Sequence, residues 1–263
     1  MTLLVGVLCE DGIVIAADRQ ATHGAMGQQT VGQQVTKVRI VKGESALFAS
    51  SGHLGMGQQL AAIVDDKCPE FLNQGYDKSI AKLQEHLRPL VNKALETAGL
   101  ATRVVGPQVA SNDCICHSVL AAPFKDGLKL VEITPQVAVE RMTPELPFIS
   151  MGSGKSSADV FLGFLKKVYW PSKQPTLVEG TLAAYWTVQH AIDMRVNGVS
   201  FAVDVFTVRP KGKLFVAAKL EDAELSEHSD FIKASEEAMR SVANQMRIPN
   251  GVPAQPPTLN PTS

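Results

Sequence analysis

Apolar residues fill the start of the chain in two short runs. Thr2-Leu-Leu-Val-Gly-Val-Leu-Cys9 reads as a strand, Glu10-Asp11-Gly12 as a tight turn, and Ile13-Val-Ile-Ala-Ala-Asp18 as the returning strand. Asp-Gly between apolar strand-forming runs signals a hairpin, because glycine tolerates the positive φ such turns need. Thr36–Val41 alternates and Ala46–Ser51 is mostly small and apolar, so both predict strands. The period then lengthens. Ile80, Leu83, Leu87, Leu90, Val91 and Leu95 recur at helical spacing and predict a helix over 77–98, after a shorter one over 55–66. Pro89 predicts a kink or break in it.

Strands are predicted near 114–122, 128–134, 137–141 and 148–151, followed by helices near 156–168 and 176–194. Phe201–Val208 and Leu214–Leu220 read as a strand pair across Pro210-Lys-Gly212, and an amphipathic helix covers about 229–246. Segregated runs of this kind imply an α+β protein with sheets packed together and helices stacked outside, not a doubly wound parallel sheet. His23–Gln34 is rich in Gly and Gln and too polar for a core element. The segment after Ile248 is rich in Pro and polar residues, with too few apolar groups to offset ordering entropy. The expected organisation is one domain over 1–248 and a disordered tail over 249–263.

The 263 residues are enough for one large core. Net charge is −1 and Lys and Arg are scattered, which argues against a nucleic-acid partner. No apolar stretch approaches a membrane span, and no basic segment precedes an apolar one as in a secretory signal. Cys9, Cys68, Cys114 and Cys116 form no disulfide framework, which fits a reducing cytoplasm. Cys114-Ile-Cys116-His117 invites a metal reading, but no second ligand pair has metal spacing. Buried strand cysteines are expected instead, with no metal and no cofactor.

Gly154-Lys155-Ser156 resembles the end of a phosphate loop, yet Ile149 stands where its first glycine belongs. Gly152-Ser153-Gly154 lacks the glycine spacing of a hydrolase nucleophile elbow. His53, His86, His117, His190 and His228 follow no ligand spacing and read as surface or capping residues.

Chemistry enters with Thr2. Removal of Met1 would leave a free N-terminal threonine, whose amine can serve as base for its own hydroxyl. The reference amine pKa of about 7.7–8.0 leaves much of it neutral near pH 7. Asp18 ends an otherwise apolar strand, and a carboxylate there needs a partner or a wet edge. Lys37 on the next strand can pair with it, and a fixed ammonium beside the hydroxyl would stabilise the developing alkoxide. Ser50-Ser51-Gly52 could present the Gly52 N–H as an oxyanion donor.

These residues resemble those of proteasome β-type subunits, which are N-terminal nucleophile hydrolases. The stretch Thr2-Leu-Leu-Val-Gly-Val-Leu-Cys-Glu-Asp-Gly-Ile-Val-Ile-Ala-Ala-Asp-Arg-Gln-Ala-Thr22 is similar to the start of that family. The similarity continues through Lys37-Val38, Ser51-Gly52 with Gly55 and Leu60, Gly152-Ser153-Gly154 and, more loosely, the strand pair near Asp204. The resemblance implies a four-layer αββα sandwich with two packed, mainly antiparallel sheets. It implies Thr2 as nucleophile, its amine as proton acceptor, Lys37 as the cation and Asp18 as its holder. Gly52 would donate to the oxyanion and Ser153 would hydrogen-bond near the amine. Thr22 matches a position that contacts substrate backbone, and Ser50 one on the wall of the pocket before the scissile bond.

The chain departs from the pattern in places. The interval from Asp18 to Lys37 is longer than in typical archaeal β subunits. The late Asp-x-x-Ser-Gly motif is placed at Asn197-Gly-Val-Ser200, with an amide where the acid is expected and a residue short. An amide still hydrogen-bonds but supplies no charge.

The implied activity is that of a self-compartmentalised threonine endopeptidase acting on peptides or unfolded proteins. It would work without cofactor, in two stacked hexameric or heptameric rings of identical subunits, resembling the free-standing bacterial homologues. Removal of Met1 is the one activation step expected. An ATP-dependent unfoldase is a possible partner that no residue here identifies. Two alternatives stand beside it: a non-catalytic structural ring subunit, and an N-terminal-nucleophile amidase acting on a small amide.

Overall fold

The structure, a computed structural model, describes residues 2–23, 31–43, 45–72, 74–105 and 115–246. Contacts divide the chain into one unit of residues 1–220 and a second of 221–263. The first hairpin forms as its pattern predicts: β1 (Leu3–Leu8) pairs antiparallel with β2 (Ile13–Asp18), Gly6 facing Ile15. Every residue of both strands is buried, which explains an unbroken apolar run where a half-exposed strand would alternate.

The chain continues through β3 (Gln20–His23), β4 (Val31–Gln34), β5 (Val38–Ile40) and β6 (Leu47–Gly52). Helices α1 (Leu54–Phe71) and α2 (Tyr76–Val105) follow, then β7 (Cys116–Phe124), β8 (Gly127–Ile133), β9 (Val139–Arg141) and β10 (Phe148–Gly152). After these come α3 (Lys155–Tyr169), α4 (Leu177–Asp193), β11 (Val203–Lys211) and β12 (Leu214–Lys219). The second unit contributes α5 (Asp222–Gln245).

Two five-stranded antiparallel sheets result, in the orders β10-β1-β2-β11-β12 and β5-β6-β7-β8-β9, with a small ribbon β3-β4. Leu4, Ile13 and Ile15 of the first sheet meet Leu47, Ala49, Val119 and Leu130 of the second in a core between them. The opposite face of the second sheet, through Phe48, Leu120 and Val131, packs on Leu60 and Val64 of α1 and Leu83 and Leu87 of α2. Helix α4 lies close on the outer face of the first sheet: a Cβ at Gly180 would collide with the Cys9 sulfur and lie 3.3 Å from Val7. Trp186 of α4 in turn takes Phe161 of α3 edge-on at 5.7 Å. The layers are therefore helix, sheet, sheet, helix, as expected.

Several boundaries differ from the pattern reading. Pro89 does not break α2, because Leu83, Leu87 and Val91 on either side of it anchor the helix in the core and outweigh the missing donor. Strand β11 runs on through Pro210, so the turn lies at Gly212, whose φ is 65°. Pro210 faces Phe215 of β12, while β11 pairs with β2 only as far as Val208, so the proline removes no second ladder bond. The ends of the polar stretch do pair, Thr22 opposite Gly32, whereas residues 24–30 lie outside the described set. Helix α5 starts at Asp222 rather than 229, because Glu221 and Glu224 close a capping box that adds polar turns without apolar periodicity. The expected tail over 249–263 lies outside the described residues.

Candidate functional site

Strand pairing gathers the predicted residues at one end of the sandwich. The β1–β2 register sets Leu4 against Ala17, which brings Asp18 beside the first residues of β1. The β1–β10 register sets Leu3 against Gly152, which lays the Gly152-Ser153-Gly154 turn against Thr2. Gly152 adopts φ 95°, and a Cβ there would collide with the Thr2 carbonyl oxygen and sit 3.1 Å from Ser51 Oγ. Only glycine fits. The Thr2 N–H donates to Ser153 Oγ at 3.3 Å, and the Ser153 hydroxyl has the carbonyls of Thr2 at 3.4 Å and Asn197 at 3.3 Å as acceptors.

Asp18 is fully buried, and both of its oxygens are used. Oδ1 accepts the Leu3 N–H at 2.7 Å and the Lys37 ammonium at 2.6 Å. Oδ2 accepts the N–H of Gln20 at 3.0 Å and of Ser200 at 3.4 Å. The Lys37 side chain is itself 6% exposed. Burying such a pair costs several kcal/mol per ion, and the cost is offset when hydrogen bonds satisfy the remaining lone pairs, as the three backbone donors do here. Burial pushes the Lys37 ammonium below its ordinary pKa, and the Asp18 charge and hydrogen bond oppose that shift without cancelling it.

Gly52 closes β6 at φ 123°, opposite Cys116, where a Cβ would collide with the Ile115 carbonyl oxygen. The backbone can reach this position only without a side chain. Ser50 turns the other way: its hydroxyl fills the space a Cβ at Gly57 of α1 would need, and lies near Cys116. It therefore lines the seam between β6 and α1. Thr22 sits in the β3–β4 ribbon. Asn197 and Ser200 reach the cluster through backbone atoms, the carbonyl of one and the N–H of the other. Neither of these contacts uses the Asn197 or Ser200 side chain.

Reading the sequence missed two features. Ser51, and not only Ser50, approaches the Thr2 end of β1 through Gly152. Asp204, a buried carboxylate on β11 opposite Ala17, holds the partly exposed Arg19 and Lys219 in a second ion group. A lone carboxylate inside the apolar run Phe201–Val208 was the available signal for it. Cys116 is buried at the start of β7, and Cys114 lies outside the described residues. No group of ligand side chains suited to a metal ion occurs among the described residues. His53 caps α1, accepting the Met56 N–H at 3.3 Å.

A family model described as Proteasome subunit matches residues 2–206. The chain belongs to the proteasome subunit family. No curated protein matches it. Among solved structures, Anbu (ancestral beta-subunit) from Yersinia bercovieri superposes with a TM-score of 0.65 at 17% identity, covering 94% of this chain and 98% of its own. The helical assembly of the Anbu complex from Pseudomonas aeruginosa gives 0.66 at 16% identity, covering 95% and 98%. Anbu from Hyphomicrobium sp. strain MC1, in its Gly-1 mutant form, gives 0.65 at 14% identity, covering 94% and 100%. At these identities the likeness is one of fold. The proteasome subunit fold thus extends over nearly the whole first unit, and the site described above occupies its Thr2 end. Among the described residues no helix is long and apolar enough to cross a membrane.

Proposed function

We propose that this proteasome subunit is a threonine peptidase whose nucleophile is Thr2, freed by removal of Met1. The observation that carries this reading is the Asp18 carboxylate, which holds the Leu3 N–H and the Lys37 ammonium on one oxygen. One buried group thereby fixes both the residue following the nucleophile and the cation that acts on it. In the proposed cycle the Thr2 amine takes the hydroxyl proton while Lys37 stabilises the developing alkoxide. The oxygen attacks a peptide carbonyl, and the Gly52 N–H receives the oxyanion. The amine then protonates the leaving nitrogen, and water, deprotonated by the same amine, releases the acyl group and restores Thr2.

Ser153 keeps the amine in register, since it already contacts the nitrogen of Thr2 at 3.3 Å. Thr22 and the β3–β4 ribbon offer strand edges for an extended substrate. Ser50, small and turned towards α1, leaves room for the side chain before the scissile bond.

The protein works as a homo-oligomer of Anbu type. The Pseudomonas aeruginosa Anbu complex is a helical assembly, and stacked closed rings are the other arrangement consistent with an enclosed site. Electron microscopy of the native particle separates them.

The deciding experiment combines intact-mass measurement with peptide hydrolysis. Protein lacking Met1 hydrolyses reporter peptides, and Thr2→Ala abolishes hydrolysis while leaving assembly intact. Full activity in Thr2→Ala would remove the reading.

A further inference from the structure

The inner face of the second sheet changes character at the Thr2 end. Leu47 and Ala49 of β6, Val119 and Ala121 of β7 and Leu130 of β8 all belong to the core between the sheets. Side chains alternate along a strand, so Ser51, His117 and Glu132, each two positions from a member of that core, share its face. Ser51 lies opposite His117, and Glu132, opposite Val119, reaches the imidazole diagonally. An apolar layer thus gives way to three neighbouring polar side chains, one from each strand.

His117 Nδ1 lies 3.1 Å from Oε1 of Glu132, and the two side chains are 43% and 19% exposed. The pair is open to a ligand and not sealed in the core. A carboxylate only accepts hydrogen bonds, so the ring nitrogen facing it carries the proton. In the neutral imidazole Nε2 is then left as an acceptor, and the pair carries one negative charge.

Its place beside Thr2 follows from the sheet order β5-β6-β7-β8. Ser51 Oγ lies 3.1 Å from where a Cβ on Gly152 would stand, and Gly152 packs on the Thr2 carbonyl. Lys37 precedes β5 on one side of β6, and His117 lies on the other. The β3–β4 ribbon with Thr22 ends at Gln34, three residues before Lys37, and so belongs to the β5 side. A peptide with its acyl half on the ribbon carries its leaving half past β6 towards β7. Side-chain direction agrees. Ser50 and Ser51 are consecutive and point to opposite faces of β6, one to Gly57 of α1 and the other to Gly152. With the side chain before the scissile bond at Ser50, the next one turns to the face that holds His117 and Glu132.

We propose that His117 and Glu132 form the subsite for the residue after the scissile bond, and that this subsite takes a basic side chain, lysine or arginine. Nε2 accepts a hydrogen bond from that side chain, and Glu132 supplies the opposite charge while holding the ring in the required tautomer. This deepens the peptidase reading and rests on it for the position of the bond.

Reporter peptides identical except for lysine or glutamate after the cleaved bond give the first test. Hydrolysis has a kcat/KM about fivefold higher for lysine, the scale of a partly exposed charge pair. Glu132→Gln erases that preference. Equal rates for the two peptides in wild type, or a preference unchanged in Glu132→Gln, overturn the proposal.

The second test needs no turnover. The His117 ring signals, in protein carrying 13C-labelled histidine and assigned by their loss in His117→Gln, are followed by NMR in Thr2→Ala as each peptide is added. The lysine peptide shifts them, and the glutamate peptide at equal concentration shifts them much less. Equal shifts, or none, overturn the proposal. Shifts with the lysine peptide in a protein whose wild type hydrolyses nothing would remove the peptidase reading and leave the basic-residue site standing.

Discussion

The ammonium of Lys37 lies 2.6 Å from Oδ1 of Asp18, and the two side chains are 6% and 0% exposed. The same oxygen accepts the Leu3 N–H, so the ion pair is coupled to the backbone beside Thr2. The partners are unequal. Asp18 keeps three backbone donors if Lys37 is lost, whereas Lys37 has no other acceptor among the described hydrogen bonds. Asp18→Asn should therefore destabilise the fold by about 3 kcal/mol, and Lys37→Met by clearly less. Urea midpoints of the two variants check the order.

Lys37 also sets a pH dependence. Its pKa in the folded protein lies below the ordinary 10.5, because burial disfavours the charge. Between the lowered value and 10.5 the unfolded chain binds more protons, so stability contributed at this site rises with pH across that window and the cost of the buried charge is felt below it. If Lys37 works as a cation, the alkaline limb of kcat falls off below 10.5. A limb at or above the ordinary lysine value would contradict this.

Gly152 is the tightest joint of the site. Gly152→Ala places a methyl group against the Thr2 carbonyl at φ 95°, and should cost about 2 kcal/mol or more. Gly212→Ala, at φ 65° with open space around it, should cost about 1 kcal/mol. Thermal unfolding of both variants reads the difference. Equal losses would mean that the backbone contact at Thr2 does not constrain the fold.

The buried thiols give a test of the core that needs no mutation. Burial, with Asp65 nearby, pushes the Cys68 thiol up from 9.0 to about 12, and burial pushes Cys9 up as well. Neither should react with iodoacetamide at pH 8 until the protein unfolds. The raised Cys68 value contributes stability that is complete below 9.0 and is lost as pH rises towards about 12. Rapid labelling of Cys68 in folded protein would contradict the packing of α1.

Ser153 separates positioning from chemistry. Ser153→Ala removes one hydrogen bond at the Thr2 nitrogen and one at its carbonyl. In active protein it should lower kcat by roughly 10-fold and leave stability within about 1 kcal/mol. Peptide kinetics with a parallel melting curve measures both.

Much of this was legible along the chain, for local reasons. The Asp-Gly turn and the flanking apolar runs specify the first hairpin, and its length carries Asp18 back to the start of β1. Helical spacing from Ile80 to Leu95 specifies α2, although Pro89 suggested a break that core packing overrides. Asn197 was expected to hydrogen-bond through its amide, whereas the contacts of Asn197 and Ser200 with Ser153 and Asp18 run through the backbone, where side-chain identity is silent. Helix α5 began early because acidic capping turns carry no apolar period.

By itself the chain determined which residues could do chemistry and which segments had to be buried, since hydroxyl, carboxylate, ammonium and apolar spacing are properties of local sequence. Only the tertiary structure decided which of those groups meet. The salt bridge between Asp18 and Lys37 depends on how the second sheet seats against the first, and the hold of Asp204 on Arg19 depends on a strand distant in sequence pairing with β2. Register and sheet stacking come from the burial of many side chains at once, and no single stretch of sequence encodes that sum.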